Sequence, residues 1–239
     1  MTQTRLINRR SSKYQYGPIN QVIEGKVQKI KTFEGCPHNC PYCDEPTGRK
    51  YFEIPELVCD KILEVSQNIL YREDAKQYLI ELGMTGREVE LVCGVDFRLL
   101  DMETAEILRE FKFGWFNKKW KWSRGIRIAW DWFVDDQYKI IDAIKLLLGA
   151  GFNQSEIMVF MIVNWKVPLW ECELKLDLLK VWGVKVCDCC FDGGHANAIP
   201  EYWSQKEIDY FRAKCALHNQ LVNYKIYPDL QRAKRMSRK

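Results

Sequence analysis

The apolar and polar positions divide this chain into short apolar runs separated by longer amphipathic ones. Residues 27–33 interleave apolar with polar and basic side chains, the pattern of a strand with one covered face. Ahead of them, residues 14–26 read as an irregular lead-in with a short edge strand broken at Gly17-Pro18. Residues 50–54 form a second extended piece. Pro55 stands where a helix can begin, and Leu57, Ile62, Leu63, Val65, Ile69 and Leu70 predict one reaching residue 70. Beyond that the alternation is regular. Apolar strands are predicted at 89–93, 126–130, 157–163 and from 184 to 187. Helices are predicted at 102–111, from Asp135 or Asp136 to 148, from Pro168 through 181, and from Ser204 to 222. Asp101 and Ser204 are the expected caps, and Gly149, Gly151 and Gly183 the expected stops.

Strands separated by helices imply βαβ crossovers and parallel pairing. The expected fold is therefore α/β: an incomplete, TIM-like β/α barrel of about five to six parallel strands, short of the eight of a closed barrel. Its expected parts are a basic lead-in at 1–26, the barrel at 27–223 and a basic tail at 224–239. Cys36, Gly94, Asp96, Asp131, Asn164, Asp188 and Asp192 all fall at or just past the C-terminal end of a predicted strand. That edge is where parallel α/β folds bind ligands.

At 239 residues and 47% apolar composition the chain is large enough for a substantial core. No apolar run reaches the ~18 residues that suggest a membrane span, and the N-terminus lacks the apolar segment of a secretory signal. A cytoplasmic location is the expectation, with ten reduced cysteines. Cys59, Cys93, Cys172 and Cys215 stand singly in apolar surroundings and read as core. The net charge of +4 is uneven: residues 1–13 carry +4 and residues 224–239 carry +5, leaving −5 for the body. Basic arms on an acidic body read as solubilising tails, or as contacts for phosphate.

Two cysteine clusters remain, Cys36/Cys40/Cys43 and Cys187/Cys189/Cys190. In the first, Pro, Gly and Asn hold an open loop, so three thiolates can converge on one inorganic centre. A tetrahedral zinc or a complete cysteine-ligated cluster would take a fourth ligand.

The spacing Cys36-x-x-x-Cys40-x-x-Cys43, following the first strand of such a fold, resembles the signature of radical S-adenosylmethionine (SAM) enzymes. Tyr42, the aromatic before the third cysteine, also matches; in that family it packs near the adenine. The resemblance implies that Cys36, Cys40 and Cys43 hold a [4Fe-4S] cluster whose fourth iron is chelated by the amino and carboxylate groups of SAM. A reductant such as flavodoxin or ferredoxin would then drive cleavage of SAM to a 5′-deoxyadenosyl radical, which abstracts hydrogen from a substrate that the sequence does not name.

Other residues follow from the same resemblance. Many family members hold the SAM amine on a Gly-Gly-Glu-like turn after the second barrel strand. The corresponding stretch is read as Gly94-Val95-Asp96, with one glycine and a shorter acid. Asn164 looks like the polar residue that contacts the SAM ribose or carboxylate, and Arg127 is a candidate partner for the carboxylate. Asp188 and Asp192 are candidates for a SAM or substrate hydroxyl. His38 reads as a solvent-facing loop residue.

The second cluster, with His195 nearby, reads as buried thiols or as a thiol acting on substrate; adjacent cysteines are poorly placed for a second iron–sulfur cluster. Residues 113–124 interleave aromatics with cations. That composition suits a connector packed over the barrel, and equally base stacking beside phosphate, so a nucleic-acid partner stays open. Three functions remain in view: a radical SAM enzyme, a nucleic-acid-modifying relative of it, and a non-catalytic zinc- or iron–sulfur-binding interaction protein.

Overall fold

The computed structural model describes residues 6–7, 20–43, 45–131, 134–191 and 200–224. Apart from Leu6–Ile7 and Tyr224, the basic arms lie outside the described residues, as do Asp192 and His195.

The chain folds as α/β around mixed, mostly parallel sheets. One has six strands in the order β2 (Asn20–Ile23), β3 (Val27–Ile30), β6 (Lys61–Glu64), β7 (Glu88–Leu91), β8 (Phe113–Phe116) and β9 (Trp122–Arg124). A second has four, in the order β1 (Leu6–Ile7), β12 (Lys185–Phe191), β11 (Ile157–Val163) and β10 (Ile126–Ala129). A two-stranded ribbon pairs β4 (Phe33–Glu34) with β5 (Lys50–Tyr51). Strands β3, β6 and β7 are parallel neighbours, and so are β10, β11 and β12. A parallel bridge between Val95 and Ile128 links the two sets just past the end of β7. Each set keeps chain order in space, as successive crossovers require.

Helices α1 (Ala75–Met84), α2 (Met102–Glu110), α3 (Gln137–Gly149), α4 (Leu169–Trp182) and α5 (Gln205–Asn223) form the other layer. Their apolar stripes merge with Ile62, Val89, Ile128 and Val159 from the strands into the main core. The opposite sheet face carries a smaller cluster of Val27, Leu63, Val65, Val92 and Phe116. The expected end signals operate. Asp101 accepts from Thr104 N at 2.8 Å, Ser204 and Glu207 form a reciprocal capping box, and Gly183 closes α4 with φ of 61°. No helix among the described residues is long and apolar enough to cross a membrane.

The helix expected between Pro55 and residue 70 is absent. Residues 61–64 are instead β6, with a single 3-10 turn at Ile69–Tyr71, and the helix comes later, as α1. A strand covered on both faces is apolar without alternation, so its residues satisfy a helical template equally well. Pairing with β3 and β7 decides the matter.

Residues 113–124 form a hairpin, β8–β9, which the sequence reading did not expect. Trp115 and Phe116 are buried, and the indole nitrogen of Trp122 is enclosed too. The aromatics serve packing, and Lys118, Lys119 and Lys121 remain exposed.

Candidate functional site

The cysteine loop leaves the sheet from a position fixed by a buried carboxylate. Glu64, at the end of β6, accepts from Thr32 Oγ1 at 2.8 Å, Ser66 Oγ at 2.6 Å and the Tyr78 hydroxyl. Ser66 Oγ in turn accepts from the backbone N–H groups of Thr32 (3.2 Å) and Phe33 (3.0 Å). Arg72 donates to the Thr32 carbonyl at 3.1 Å. The two residues ahead of the loop are therefore held from several sides.

At Gly35 the chain takes φ of 141°, and a Cβ there would stand 2.3 Å from the Gly48 carbonyl oxygen. Only glycine fits this close approach of the loop's two arms. The Gly35 N–H donates to Glu45 Oε1 at 2.7 Å, the Cys36 N–H to the Pro46 carbonyl at 2.9 Å, and the Cys43 N–H to the Cys40 carbonyl at 3.0 Å.

Cys36, Cys40 and Cys43 line one cavity, and Tyr42, Val95 and Asp96 line it with them. It is an open cleft with a volume of about 140 Å³. Six residues singled out in the sequence are thus gathered at one place.

Asn68 organises the wall facing Cys36. Its side-chain amide donates to the Cys36 sulfur at 3.3 Å and to Asp96 Oδ2 at 3.0 Å. Its Oδ1, fully enclosed, has no hydrogen-bond partner among the described residues. Asp96 also accepts from Arg98 Nε at 2.7 Å and pairs with His38 Nε2 at 2.8 Å. Burial alone would raise the Asp96 carboxyl; the Arg98 guanidinium beside it more than offsets this and holds it below the usual carboxylate value. His38 is half-buried and tied to the cavity wall, not turned to solvent as expected.

Across the cavity, the Tyr42 hydroxyl donates to Asp131 Oδ2 at 3.3 Å. The Asp131 carboxyl is enclosed by protein even though part of the residue reaches the cavity. Burial pushes its pKa up to about 6, and the charge of Lys175 only partly opposes this. Burial also raises the Cys40 thiol, against the hydrogen bond with Tyr42 and the charge of Arg98. The Tyr42 ring packs edge-on against Trp165 at 5.9 Å, and Trp165 against Phe191 at 4.5 Å.

The remaining sequence candidates lie elsewhere. Gly94 turns the chain with φ of 77°, its α-carbon tight against the Arg127 backbone. Arg127 is buried against Glu90 and does not line the cavity. Asn164 is fully buried: its amide donates to the Phe191 carbonyl at 2.7 Å, and its Oδ1 accepts from the N–H groups of residues 201, 202 and 203. It fastens the segment before α5 to the aromatic group behind Tyr42. Asp188 pairs with Arg212 on α5 at 3.1 Å, away from the cavity.

Of the isolated cysteines, Cys172 and Cys215 are buried as expected, but Cys93 lines the cavity. Cys189, from the second cluster, lines it too; its thiol is pushed well up by a hydrogen bond with Cys187 and by burial.

Sequence reasoning missed Asn68 and Arg98. The helix expected through residue 68 hid a strand-end run, Ser66-Gln67-Asn68, directly after the second parallel strand. The Gly94-Val95-Asp96 turn follows the third strand, β7, not the second.

Among the described residues no group of three or more His, Cys, Asp or Glu side chains is gathered tightly enough to hold a metal ion. One tetrahedral ion would draw its sulfurs within ~4 Å of each other. A cubane takes each thiolate on a different iron and does not require that convergence. No family model and no curated protein matches the chain.

Proposed function

We propose that this protein is a radical SAM enzyme, built as an incomplete β/α barrel in which β3, β6, β7, β10, β11 and β12 are the parallel staves. The observation that carries the reading is the shared cavity: three cysteines at the family's spacing line it beside an enclosed Asn68 Oδ1 that has no partner among the described residues.

The residues fit the implied groups. Cys36, Cys40 and Cys43 would hold a [4Fe-4S] cluster, and the amide of Asn68 stabilises negative charge on the Cys36 sulfur, as supporting hydrogen bonds do in such sites. Asn68 Oδ1 needs a donor, which the amino group of SAM supplies; it also lies in the turn after the second stave, where the family holds that amine. Arg98, not Arg127, is the cation at the cavity and the better candidate for the SAM carboxylate. Tyr42 and Asp131 form the opposite wall, an aromatic face next to a carboxylate able to accept from hydroxyl groups. When bound, cluster and SAM supply one-electron cleavage of the sulfonium and removal of a hydrogen atom from the substrate. The protein's part is to hold these groups in place and to keep water and quenching groups away.

Anaerobic reconstitution tests the reading. A brown protein that forms 5′-deoxyadenosine with dithionite, and that loses colour and product in Cys40→Ala but keeps both in Cys93→Ala, is the expected result. Stoichiometric zinc with no SAM cleavage would overturn it.

A further inference from the structure

Among the described residues, two thiols outside the cysteine loop also line the cavity, Cys93 and Cys189. Cys93 turns to the backbone: its thiol donates to the Val65 carbonyl at 3.6 Å. Cys189 has a different neighbour. It stands on β12 two residues from Cys187, so both side chains leave the same face of the strand. That face is the cavity wall. Ala129 on β10 pairs in register with Phe160 on β11, and Phe160 with Cys187; Ala129 and Phe160 both line the cavity. Asp188, between the two cysteines, takes the opposite face and pairs with Arg212.

A hydrogen bond joins the two sulfurs. That bond and burial push the Cys189 thiol well up, so its sulfur keeps its hydrogen. Cys189 is buried and Cys187 half-buried. The cavity is thus shown an un-ionised S–H, which is a poor nucleophile and a poor metal ligand. What such a group does readily is give up a hydrogen atom, because an S–H bond is weaker than an alkyl C–H. The apolar wall residues Val92, Val95, Ala129 and Phe160 offer only C–H bonds, and Tyr42 commits its O–H to Asp131.

We propose that Cys189 gives a hydrogen atom to a carbon radical formed in this cavity, with Cys187 as its redox partner. The assignment rests on the proposed function, which supplies the radical. In the transfer the Cys189 S–H bond breaks homolytically and a C–H bond forms on the radical carbon. The thiyl sulfur then bonds to Cys187 Sγ, whose proton passes to water. The one surplus electron goes to an acceptor of the ferredoxin or flavodoxin class, and a dithiol reductant restores both thiols. Residues two apart on a strand lie ~6.6 Å apart at their α-carbons, at the upper end of the disulfide range. Such a bond is strained and easily reduced, as one remade in every cycle must be. A substrate that loses one hydrogen atom and regains one leaves rearranged or cleaved, not oxidised.

The reconstituted full-length enzyme is given SAM and dithionite in deuterium oxide, with no added thiol and no substrate, so that the radical takes the weakest bond in reach. Wild type is expected to form 5′-deoxyadenosine carrying one deuterium, drawn from the exchanged Cys189 S–D. Cys189→Ser keeps nearly the same size with a far stronger O–H bond, and its product is expected to lose the label several-fold. Cys93→Ala is expected to keep it. A second readout needs no cofactor: after diamide oxidation of the wild-type protein, peptide mapping is expected to show a Cys187–Cys189 disulfide. Unlabelled product in the wild type, equal labelling in Cys189→Ser, or no such disulfide overturns the donor role and leaves the enzyme reading standing. No 5′-deoxyadenosine from the wild type sinks the enzyme reading and takes the donor role with it.

Discussion

The side-chain amide of Asn68 donates to the sulfur of Cys36 at 3.3 Å, joining the turn after β6 to the first cysteine of the loop. Its second N–H goes to Asp96 Oδ2. Both neighbours are acceptors, so the amide nitrogen must face them and Oδ1 must face away. One residue thereby fixes where a sulfur, a carboxylate and a vacant acceptor stand relative to one another.

Asn68→Ala is therefore expected to weaken SAM binding. Hydrogen bonds involving charged groups contribute ~1.5–3 kcal/mol, or roughly ten- to a hundredfold in affinity. Asn68→Asp, nearly isosteric, places a further anion beside Cys36 and Asp96 and should be worse than alanine. Iron content and equilibrium dialysis with SAM measure both effects. An aspartate variant that loads like wild type would refute this role.

Gly35→Ala should damage the loop while sparing the fold. The new methyl meets the Gly48 carbonyl at 2.3 Å in a backbone conformation that side chains avoid, a strain of about 1–3 kcal/mol before the collision is counted. Far-UV circular dichroism should be unchanged, with a lower Tm and reduced iron uptake. Normal iron uptake would show that the arms of the loop separate easily.

Ser66→Ala removes the acceptor of two buried backbone N–H groups and one donor to Glu64. At roughly 1–3 kcal/mol for each buried group left unsatisfied, the loss should be about 2–4 kcal/mol in urea unfolding. A change below the error of the measurement would mean that water replaces the hydroxyl.

Asp131 gives a pH signature. Its folded pKa, raised by burial to about 6, lies above the unfolded value of ~3.9. The protonated carboxyl is thus tolerated by the fold at pH 4, and that contribution is lost as pH rises through about 6. Asp131→Asn should match wild type near pH 4 and gain on it by up to about 3 kcal/mol at pH 7, measured on protein without bound cofactor. A stability difference independent of pH between 4 and 7 would rule this out.

The sequence by itself determined what is local. The spacing of Cys36, Cys40 and Cys43 is covalent, and Asp101, Gly183 and Ser204 act through their own backbone and immediate neighbours. The parallel order of the later strands was legible because helices of sufficient length separate them. Tertiary structure decided which strand-end residues meet. Residues 61–64 carry no period that tells a doubly covered strand from a helix, so only their pairing with β3 and β7 brought Ser66 and Asn68 to the cysteine loop. Along the chain Arg127, on a predicted strand, was the arginine that stood out, and Arg98 did not. Sheet register turned Arg127 onto Glu90, while the turn after β7 carried Arg98 to Asp96 at the cavity. Side-chain direction on a strand alternates with every residue and depends on partners distant in sequence, so no reading of β10 alone could show that Arg127 turns to Glu90 and away from the cavity.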